Sequence, residues 1–303
     1  MYLLVITGGV IAFMALVILC TPNAKDNSPS DWRVVSLGKR LDTGKPLAFK
    51  FDLGTHLLFA GLTGFGKSNE INYLISQLAM YDDVQFLIAN AKNGTDFMCW
   101  LPRASSLAIG PEASDTLVDE ALRILYERYE QLIPEADPNT LDGMSVLMQT
   151  ERKVNIHPNY PLLVIIVDEF IEYLKGKNAT ARAHKLHTLA TTGRAVGVVL
   201  VIASQRPSQW SAPTDIRENI PYHVSFRLDQ YGTDMIFGKG AMAELDLHSL
   251  ETIGHGYAVV PGELEPVQFI APECPEEYCR QIAWQTHTYR KAFNTAKLIQ
   301  DAA

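Results

Sequence analysis

The sequence predicts an α/β fold built around a mainly parallel β-sheet. Two segments, Leu162–Val167 and Val198–Ala203, are apolar at every position, which is typical of strands covered on both faces. Stretches with apolar residues at three- and four-residue spacings separate such segments, and they predict helices over Ser68–Met80 and Leu117–Leu132. Strands that alternate with helices in this way form a parallel sheet with helices packed against its faces.

The composition is that of a chain with one large core. Its 303 residues are 47% hydrophobic, enough for a single large domain with a small appendage. The net charge of -8 excludes a domain that binds nucleic acid through a bulk basic field, so any contact with DNA must come from locally placed Lys and Arg. The cysteines form no C-x-x-C pair, which excludes the common zinc patterns, and we expect them to be reduced and mostly buried: Cys20, Cys99, Cys274 and Cys279.

The first twenty residues differ from the rest of the chain. Tyr2–Cys20 contains no charged residue and is dominated by apolar side chains. About 20 apolar residues at a rise of ~1.5 Å span the ~30 Å core of a bilayer, so residues 1–21 are predicted to form a transmembrane helix. The positive charges that follow this segment place its C-terminal side in the cytoplasm, which predicts a single-pass protein of the cell membrane: Lys25, Arg33, Lys39 and Arg40.

Two alternatives for this segment remain open. It could be a buried helix at the start of a soluble domain, although such a helix normally carries a polar face. Cys20 could carry a lipoprotein anchor, although Leu19 occupies the position where a small residue is expected.

The rest of the chain divides into three parts. Residues 22–34 are polar and contain prolines, so they predict a linker. Residues 35–285 are predicted to form the globular domain, and residues 286–303 a C-terminal helical tail. Within the domain, Pro134–Pro161 is the least regular stretch and predicts an inserted loop. Further predicted elements are the strands His56–Ala60, Val84–Ala89 and Val224–Leu228, the helix His184–Thr192, and a terminal hairpin over Tyr257–Val260 and Pro266–Ile270.

One glycine-rich segment carries a phosphate-binding pattern. Gly61–Ser68 has the sequence GLTGFGKS and fits G-x-x-x-x-G-K-[ST] between the apolar strand His56–Ala60 and a helix. The glycines allow successive N–H groups to turn inward toward an anion, and the helix adds the positive end of its dipole. We expect Lys67 to contact the β- and γ-phosphates of ATP and Ser68 to bind Mg²⁺.

Two adjacent acids follow the apolar strand Leu162–Val167. In an ATPase with this loop, Asp168 is expected to bind the Mg²⁺ shell and Glu169 to polarise the attacking water. The alternative for Glu169 is a surface acid without a catalytic role.

A third polar segment follows the strand Val198–Ala203. Because parallel strands end at one edge of a sheet, Gln205 is predicted to lie near the acids, where it could contact the γ-phosphate or orient water. The alternative is that Gln205 caps a turn.

In combination, these segments resemble the motor domain of the FtsK/SpoIIIE DNA translocases. The resemblance runs from about residue 35 to about residue 270, and GRAVG followed by ASQRPS within Leu189–Ser208 is its most specific part. The other matching stretches are Leu37–Lys39, His56–Ser68, Glu120–Leu132, Val164–Phe170, Ile216–Phe226 and Asp234–Asp246.

The resemblance implies a RecA-like P-loop NTPase fold, a homo-hexameric ring, ATP hydrolysis between subunits and double-stranded DNA in the central channel. It implies catalytic roles for Lys67, Glu169 and Gln205. Arg194 and Arg217 match arginines near the subunit interface, either of which could act on a neighbour's γ-phosphate, and Arg206 is a weaker third candidate. The implied ATP-binding set is Gly61, Thr63, Gly64, Phe65, Gly66, Lys67, Ser68 and Asn69, with Ser68 and Asp168 at the metal.

The sequence departs from the family pattern at several points. Asn90-Ala91-Lys92 stands where the family has an acid followed by Pro-Lys, so a charge pair is expected to be absent. One predicted span replaces the several spans of the family. We also expect no C-terminal winged helix to read DNA sequence, and hence sequence-independent transport.

The leading hypothesis is therefore a membrane-anchored, ATP-driven translocase for double-stranded DNA in a plasmid or other mobile element, working with a conjugation pore. The alternatives are a motor of similar type for a protein-secretion pore and a virion-assembly or genome-packaging ATPase. Candidate channel loops are Asn93–Asp96 and Pro134–Tyr160, with Arg152 and Lys153 as candidate phosphate contacts. The alternative for these two charges is that they are only solvated at the surface.

Overall fold

A computed structural model of the 303-residue chain describes residues 33–92, 94–132, 154–205, 214–238 and 245–292. Several predicted features lie outside these residues: the transmembrane segment, all but the last two residues of the linker, and Asn93, Arg152, Lys153 and Arg206. Among the described helices, none combines the length and the apolar character that a bilayer span requires.

Ten strands of the described chain form a single sheet. In chain order they are β1 (Arg33–Arg40), β2 (Pro46–Phe51), β3 (Leu57–Ala60), β4 (Val84–Asn90), β5 (Ser106–Ile109), β6 (Leu162–Asp168), β7 (Val198–Ser204), β8 (Tyr222–Ser225), β9 (His255–Val259) and β10 (Val267–Ile270).

The sheet has a parallel half and an antiparallel half. Its strand order is β2-β1-β10-β9-β8-β3-β7-β6-β4-β5. The strands from β8 to β5 pair in parallel, whereas β9, β10, β1 and β2 continue the sheet in antiparallel pairs. The α/β prediction with a mainly parallel centre is therefore confirmed, and the antiparallel extension adds to it. Strands β4, β6 and β7 are buried along their whole length, because helices cover both faces.

Seven α-helices of the described chain pack on the two faces of the sheet. They are α1 (Lys67–Leu78), α2 (Pro111–Leu132), α3 (Phe170–Tyr173), α4 (Ala179–Thr192), α5 (Thr214–Glu218), α6 (Gln230–Phe237) and α7 (Glu276–Gln285). Apolar residues of α1 and α7 belong to the core on one face, and those of α2 and α4 belong to the core on the other.

The predicted elements differ from the observed ones mainly at their ends. Helix α2 begins at Pro111 and α4 at Ala179, several residues before the predicted starts, and β8 ends at Ser225. The terminal hairpin is present as the antiparallel pair β9 and β10.

The sequence analysis missed three strands and four helices, because each is short or only half apolar: β1, β2, β5, α3, α5, α6 and α7. After α7, the described part of the predicted tail contains one 3₁₀ turn, His287–Tyr289. The three described cysteines are buried, in line with the prediction: Cys99, Cys274 and Cys279.

Candidate nucleotide-binding site

The glycine-rich loop lies at the carboxyl edge of the parallel strands. It connects β3 to α1, and β7 lies between β3 and β6 in the sheet. Ala60 of β3 pairs with Ser204 of β7, and the Gly61 N–H then donates to the Ser204 carbonyl at 3.2 Å. The polar residues that follow β3, β6 and β7 therefore meet at one edge, where open parallel sheets bind ligands.

The loop adopts a conformation that requires glycine. Gly64 and Gly66 have φ angles of 86° and 114°, which side chains other than glycine rarely adopt. A Cβ atom on Gly66 would lie 3.3 Å from the backbone of Gly254, whereas one on Gly64 would meet no atom within 4 Å. The loop therefore packs against the Gly254 backbone at Gly66, and there is open space beside Gly64.

Several N–H groups of the loop and the first turn of α1 remain available for an anion. Within the described chain, no main-chain oxygen accepts a hydrogen bond from the N–H groups of Gly64, Gly66, Lys67 or Ser68. The first N–H groups of a helix have no partner inside the helix, and they carry its positive dipole end. This arrangement fits the phosphates of a nucleotide.

Lys67 lies between the loop and the two acids at the end of β6. Its ammonium forms an ion pair with Asp168, and it lies 3.2 Å from Glu169 Oε1. All three side chains are less than one tenth exposed. Burial alone would lower the pKa of Lys67, but the two carboxylates outweigh it and hold this pKa above its ordinary value.

Glu169 has an unusual backbone and a perturbed carboxyl group. Its φ of 52° is the one positive value among the described non-glycine residues. Burial raises the pKa of Glu169, the charge of Asp168 adds to this rise, and Lys67 opposes it. A strained backbone and a raised pKa at one carboxylate are features of catalytic bases.

Gln205 closes the site on the side of β7. Its N–H donates to Glu169 Oε2 at 3.3 Å, and its side-chain oxygen accepts from the Thr63 hydroxyl at 2.8 Å. The Lys92 ammonium lies 3.5 Å from the same oxygen. Gln205 therefore connects the glycine-rich loop to Glu169 and does more than cap a turn.

The donor set also fits a magnesium ion. Oxygen ligands suit Mg²⁺, and Asp168 and Ser68 provide a carboxylate and a hydroxyl at the base of the loop. One ammonium against two buried carboxylates leaves a net negative charge, which favours a divalent cation at this position.

Two residues of the predicted nucleotide set have other partners. The Asn69 side chain donates to the Pro272 carbonyl and accepts from the Cys274 N–H, each at 2.7 Å. The Phe65 ring lies 5.0 Å from the guanidinium of Arg227. The Asn69 side chain therefore fixes α1 to the segment before α7, and Asn69 lies in the first turn of α1.

The two arginines predicted near a subunit interface lie away from this site. Arg194 is exposed in the 3₁₀ turn Gly193–Val196, before β7 begins, whereas Gln205 follows its other end. Seven residues of strand, at ~3.3 Å each, place them roughly 20 Å apart. Arg217 donates to the Met235 carbonyl of α6 at 2.6 Å, so it has a partner within its own chain.

Three further residues lie beside the site, and sequence reasoning missed two of them, Arg227 and Gly254. The Arg227 carbonyl accepts from the Leu62 N–H at 2.8 Å, and the Gly254 N–H donates to the Phe65 carbonyl at 3.1 Å. Asn90 pairs in register with Asp168, and its buried Oδ1 has no hydrogen-bond partner among the described residues. The departure at Asn90 therefore places an amide beside the acid. No local pattern marks the other two, because the fold brings them from distant strands.

Comparison with known proteins identifies the family. The FtsK/SpoIIIE family profile matches residues 19–209, which is more than half of the chain. The chain belongs to the FtsK/SpoIIIE family. It therefore carries the P-loop ATPase domain of that family, in agreement with the site at Lys67, and the resemblance found from its motifs is confirmed.

Curated relatives agree with this assignment. The DNA translocase FtsK of Halalkalibacterium halodurans is 25% identical over 290 residues, covering 88% of this chain and 35% of that protein. The DNA translocase FtsK of Listeria monocytogenes is 26% identical over 250 residues, covering 75% of this chain and 32% of that protein. The chain thus spans about a third of the length of these relatives.

Solved structures share the fold. The conjugation coupling protein TcpA of pCW3 superimposes with a TM-score of 0.66 at 20% identity, over 86% of this chain and 72% of that one. The cytoplasmic domain of the type VII secretion ATPase EccC from Thermomonospora curvata gives 0.64 at 24% identity, over 88% of this chain and 33% of that one. These similarities confirm the RecA-like P-loop fold.

Proposed function

We propose that this chain is the motor subunit of a membrane-anchored, hexameric translocase that hydrolyses ATP to move double-stranded DNA for a plasmid or another mobile element. The observation that carries the proposal is the position of Lys67, which lies between the glycine-rich loop and the carboxylates of Asp168 and Glu169. Family membership and the FtsK relatives support DNA as the cargo.

Each side chain of the site has a role in hydrolysis. Lys67 and the N–H groups of the loop bind the β- and γ-phosphates, and Ser68 and Asp168 hold Mg²⁺, which neutralises developing charge. Glu169 accepts a proton from the water that attacks the γ-phosphorus. Gln205 is placed by Thr63 and by Glu169, so it can orient that water or contact the γ-phosphate.

The location of Arg194 supports a ring of subunits. Arg194 is exposed and lies at the opposite edge of the sheet from its own nucleotide site. An arginine in this position serves hydrolysis only if it contacts the nucleotide of a neighbouring copy, which would make turnover depend on assembly. Arg217 is a less suitable finger, because the Met235 carbonyl already binds its guanidinium.

The expected DNA contacts are electrostatic and independent of sequence. The net charge of -8 argues against a bulk basic field, so the contacts belong to locally placed Lys and Arg. Residues 2–20 would tether the motor to the cell membrane with the ATPase domain in the cytoplasm, beside a conjugation pore. That segment is uncharged, and positive residues follow it.

One experiment tests the cargo. The ATPase rate of the detergent-solubilised full chain is measured with duplex DNA, with single-stranded DNA and without DNA, and Lys67→Ala serves as the inactive control. We expect strong stimulation by duplex DNA that weakens as salt rises. A rate that is indifferent to DNA would contradict the proposal and would favour the alternative of a protein-secretion motor.

A further inference from the structure

The short helix after Asp168 and Glu169 is held by a partly buried polar cluster. Helix α3 contains only four residues and begins directly after Glu169, whose carbonyl accepts from the Glu172 N–H at 2.8 Å and the Tyr173 N–H at 3.3 Å. A single helical turn is not stable by itself, and a left-handed glutamate persists only where its surroundings enforce it. The groups that hold α3 therefore decide the conformation of Glu169.

Tyr173, the last residue of α3, is held by both α2 and α4. Its side chain is fully buried, and its hydroxyl donates to Asp115 Oδ1 of α2 at 2.9 Å. Its carbonyl accepts from Arg182 Nη1 of α4 at 3.1 Å, and the Arg182 guanidinium lies 5.3 Å from the centre of the Tyr173 ring. Tyr173 is thus bound on both its main chain and its side chain, each time by a different helix.

Asp115 and Arg182 complete the cluster. Asp115 Oδ2 lies 3.2 Å from Arg182 Nε, and Lys185 donates to Asp115 Oδ1 at 2.8 Å. Burial alone would raise the pKa of Asp115, but Lys185, Tyr173 and Arg182 outweigh it and lower that pKa below its ordinary value. Arg182 also pairs with Glu112, and Lys185 also pairs with Asp119, so the charges at the cluster are compensated, which favours one fixed arrangement.

We infer that Asp115, Tyr173 and Arg182 are positioning residues for Glu169: they clamp α3 between α2 and α4 and so hold the base in its left-handed conformation. The inference rests on the proposed function, in which Glu169 is the base. None of the three lies in the glycine-rich loop, so they act on the placement of Glu169 and not on ATP binding. This distinction separates a positioning role from a general structural one.

The test compares matched variants of the full chain. Tyr173→Phe removes only the hydroxyl that binds Asp115, and Asp115→Asn removes the charge at the centre of the cluster. The control is Tyr129→Phe, because the Tyr129 hydroxyl of α2 also donates to α4, at the Thr192 carbonyl at 2.7 Å, and not to α3. For each variant, kcat, the Kd for a fluorescent ATP analogue and the melting temperature are measured.

We expect kcat to fall about fivefold for Tyr173→Phe, the factor typical of one lost hydrogen bond, and about tenfold or more for Asp115→Asn. The Kd should stay within about twofold of the original value in both, because the loop and Lys67 are untouched. Tyr129→Phe should lower the melting temperature as much as Tyr173→Phe while its kcat stays unchanged.

Two outcomes would overturn the inference. The first is an unchanged kcat in both Tyr173→Phe and Asp115→Asn. The second is a fall in kcat that Tyr129→Phe reproduces at equal loss of stability. Glu169→Gln distinguishes these outcomes from failure of the proposed function. If Glu169→Gln still hydrolyses ATP, the assignment of Glu169 as the base fails. If Glu169→Gln is inactive but Tyr173→Phe and Asp115→Asn keep the original kcat, only the positioning role is overturned.

Discussion

Lys67 and Asp168 form a buried ion pair although 101 positions separate them in the chain. Lys67 follows β3 and Asp168 ends β6, and β7 lies between these two strands in the sheet. Their side chains are 4% and 2% exposed, so water screens the pair little. The pair places the cation of the phosphate loop against the carboxylates that would hold magnesium and activate water.

Replacing the P-loop lysine should remove activity. Lys67→Ala deletes the positive charge opposite the phosphates and leaves Asp168 and Glu169 without a counter-charge. We expect hydrolysis to fall by about a hundredfold or more, together with weaker ATP binding. A phosphate-release assay checks this, with Lys175→Ala as control, since the Lys175 ammonium pairs with Glu172 at the surface. Near-normal hydrolysis by Lys67→Ala would exclude this loop as the site.

Replacing the base should separate binding from turnover. Glu169→Gln keeps the shape of the side chain but cannot accept a proton, so kcat should fall by about a hundredfold or more while the ATP Kd is preserved. Single-turnover kinetics and a binding titration measure the two quantities. Glu172→Gln, a similar change one turn further at an exposed position, should leave both unchanged. Normal turnover by Glu169→Gln would refute the assignment.

The pH dependence of kcat should report the environment of Glu169. Burial, followed by the charge of Asp168, raises the pKa of Glu169 above its ordinary value of 4.5, and the base works only when ionised. Activity should therefore fall as the pH drops through the raised pKa, so the acid limb of the kcat profile lies above pH 4.5. A profile that stays flat down to pH 4.5 would contradict this.

Glu70 should make stability depend on pH. Its carboxyl is fully buried, neither oxygen has a hydrogen-bond partner in the described chain, and burial raises its pKa well above 4.5. Between the unfolded and folded pKa values the folded state binds more protons, so stability falls as pH rises. Glu70→Gln cannot ionise and should therefore be the more stable form at pH 8, with little difference near pH 4.5.

Urea unfolding at the two pH values measures this effect. Asp119→Asn, a matched change at a half-exposed acid on α2, should not reproduce the gain at pH 8, since Asp119 is paired with Lys185. An equal urea midpoint for Glu70→Gln and the original chain at pH 8 would show that Glu70 is not buried as described.

Gly254 should matter for ATP binding more than its distance in sequence suggests. Its φ is 84°, its N–H donates to the Phe65 carbonyl, and its backbone packs against Gly66. Gly254→Ala should cost about 1–2 kcal/mol of backbone strain. Its Cβ would also lie 3.3 Å from the Ala271 carbonyl oxygen, so the turn that binds Phe65 should shift and ATP binding should weaken. Gly262→Ala is the matched control, because Gly262 has a φ of 100° but open space around it.

Calorimetric titration with ATP and thermal unfolding of both variants measure the two effects. Gly262→Ala should lose stability through backbone strain alone, and Gly254→Ala at least as much, with weaker ATP binding only for Gly254→Ala. If both variants bind ATP as the original chain does, Gly254 does not support the loop.

The sequence predicted the parallel centre of the sheet, the phosphate loop and both acids because these rest on local patterns. Strands buried on both faces are continuously apolar, and a loop that surrounds phosphates needs glycine at fixed positions. The antiparallel strands β1 and β2 were missed because their pattern alternates between buried and exposed residues over short lengths.

By itself, the sequence determined the fold class and the family, and it predicted the roles of Lys67, Asp168 and Glu169. Only the tertiary structure decided which distant groups surround them: Gly254 under the loop, Asn90 beside Asp168, and Asp115 and Arg182 around the helix after Glu169. The physical reason is that a local sequence pattern indicates which residues of one segment are buried and which backbone conformations that segment requires. Contacts between segments depend on strand order and helix packing, which a single strand or loop does not encode.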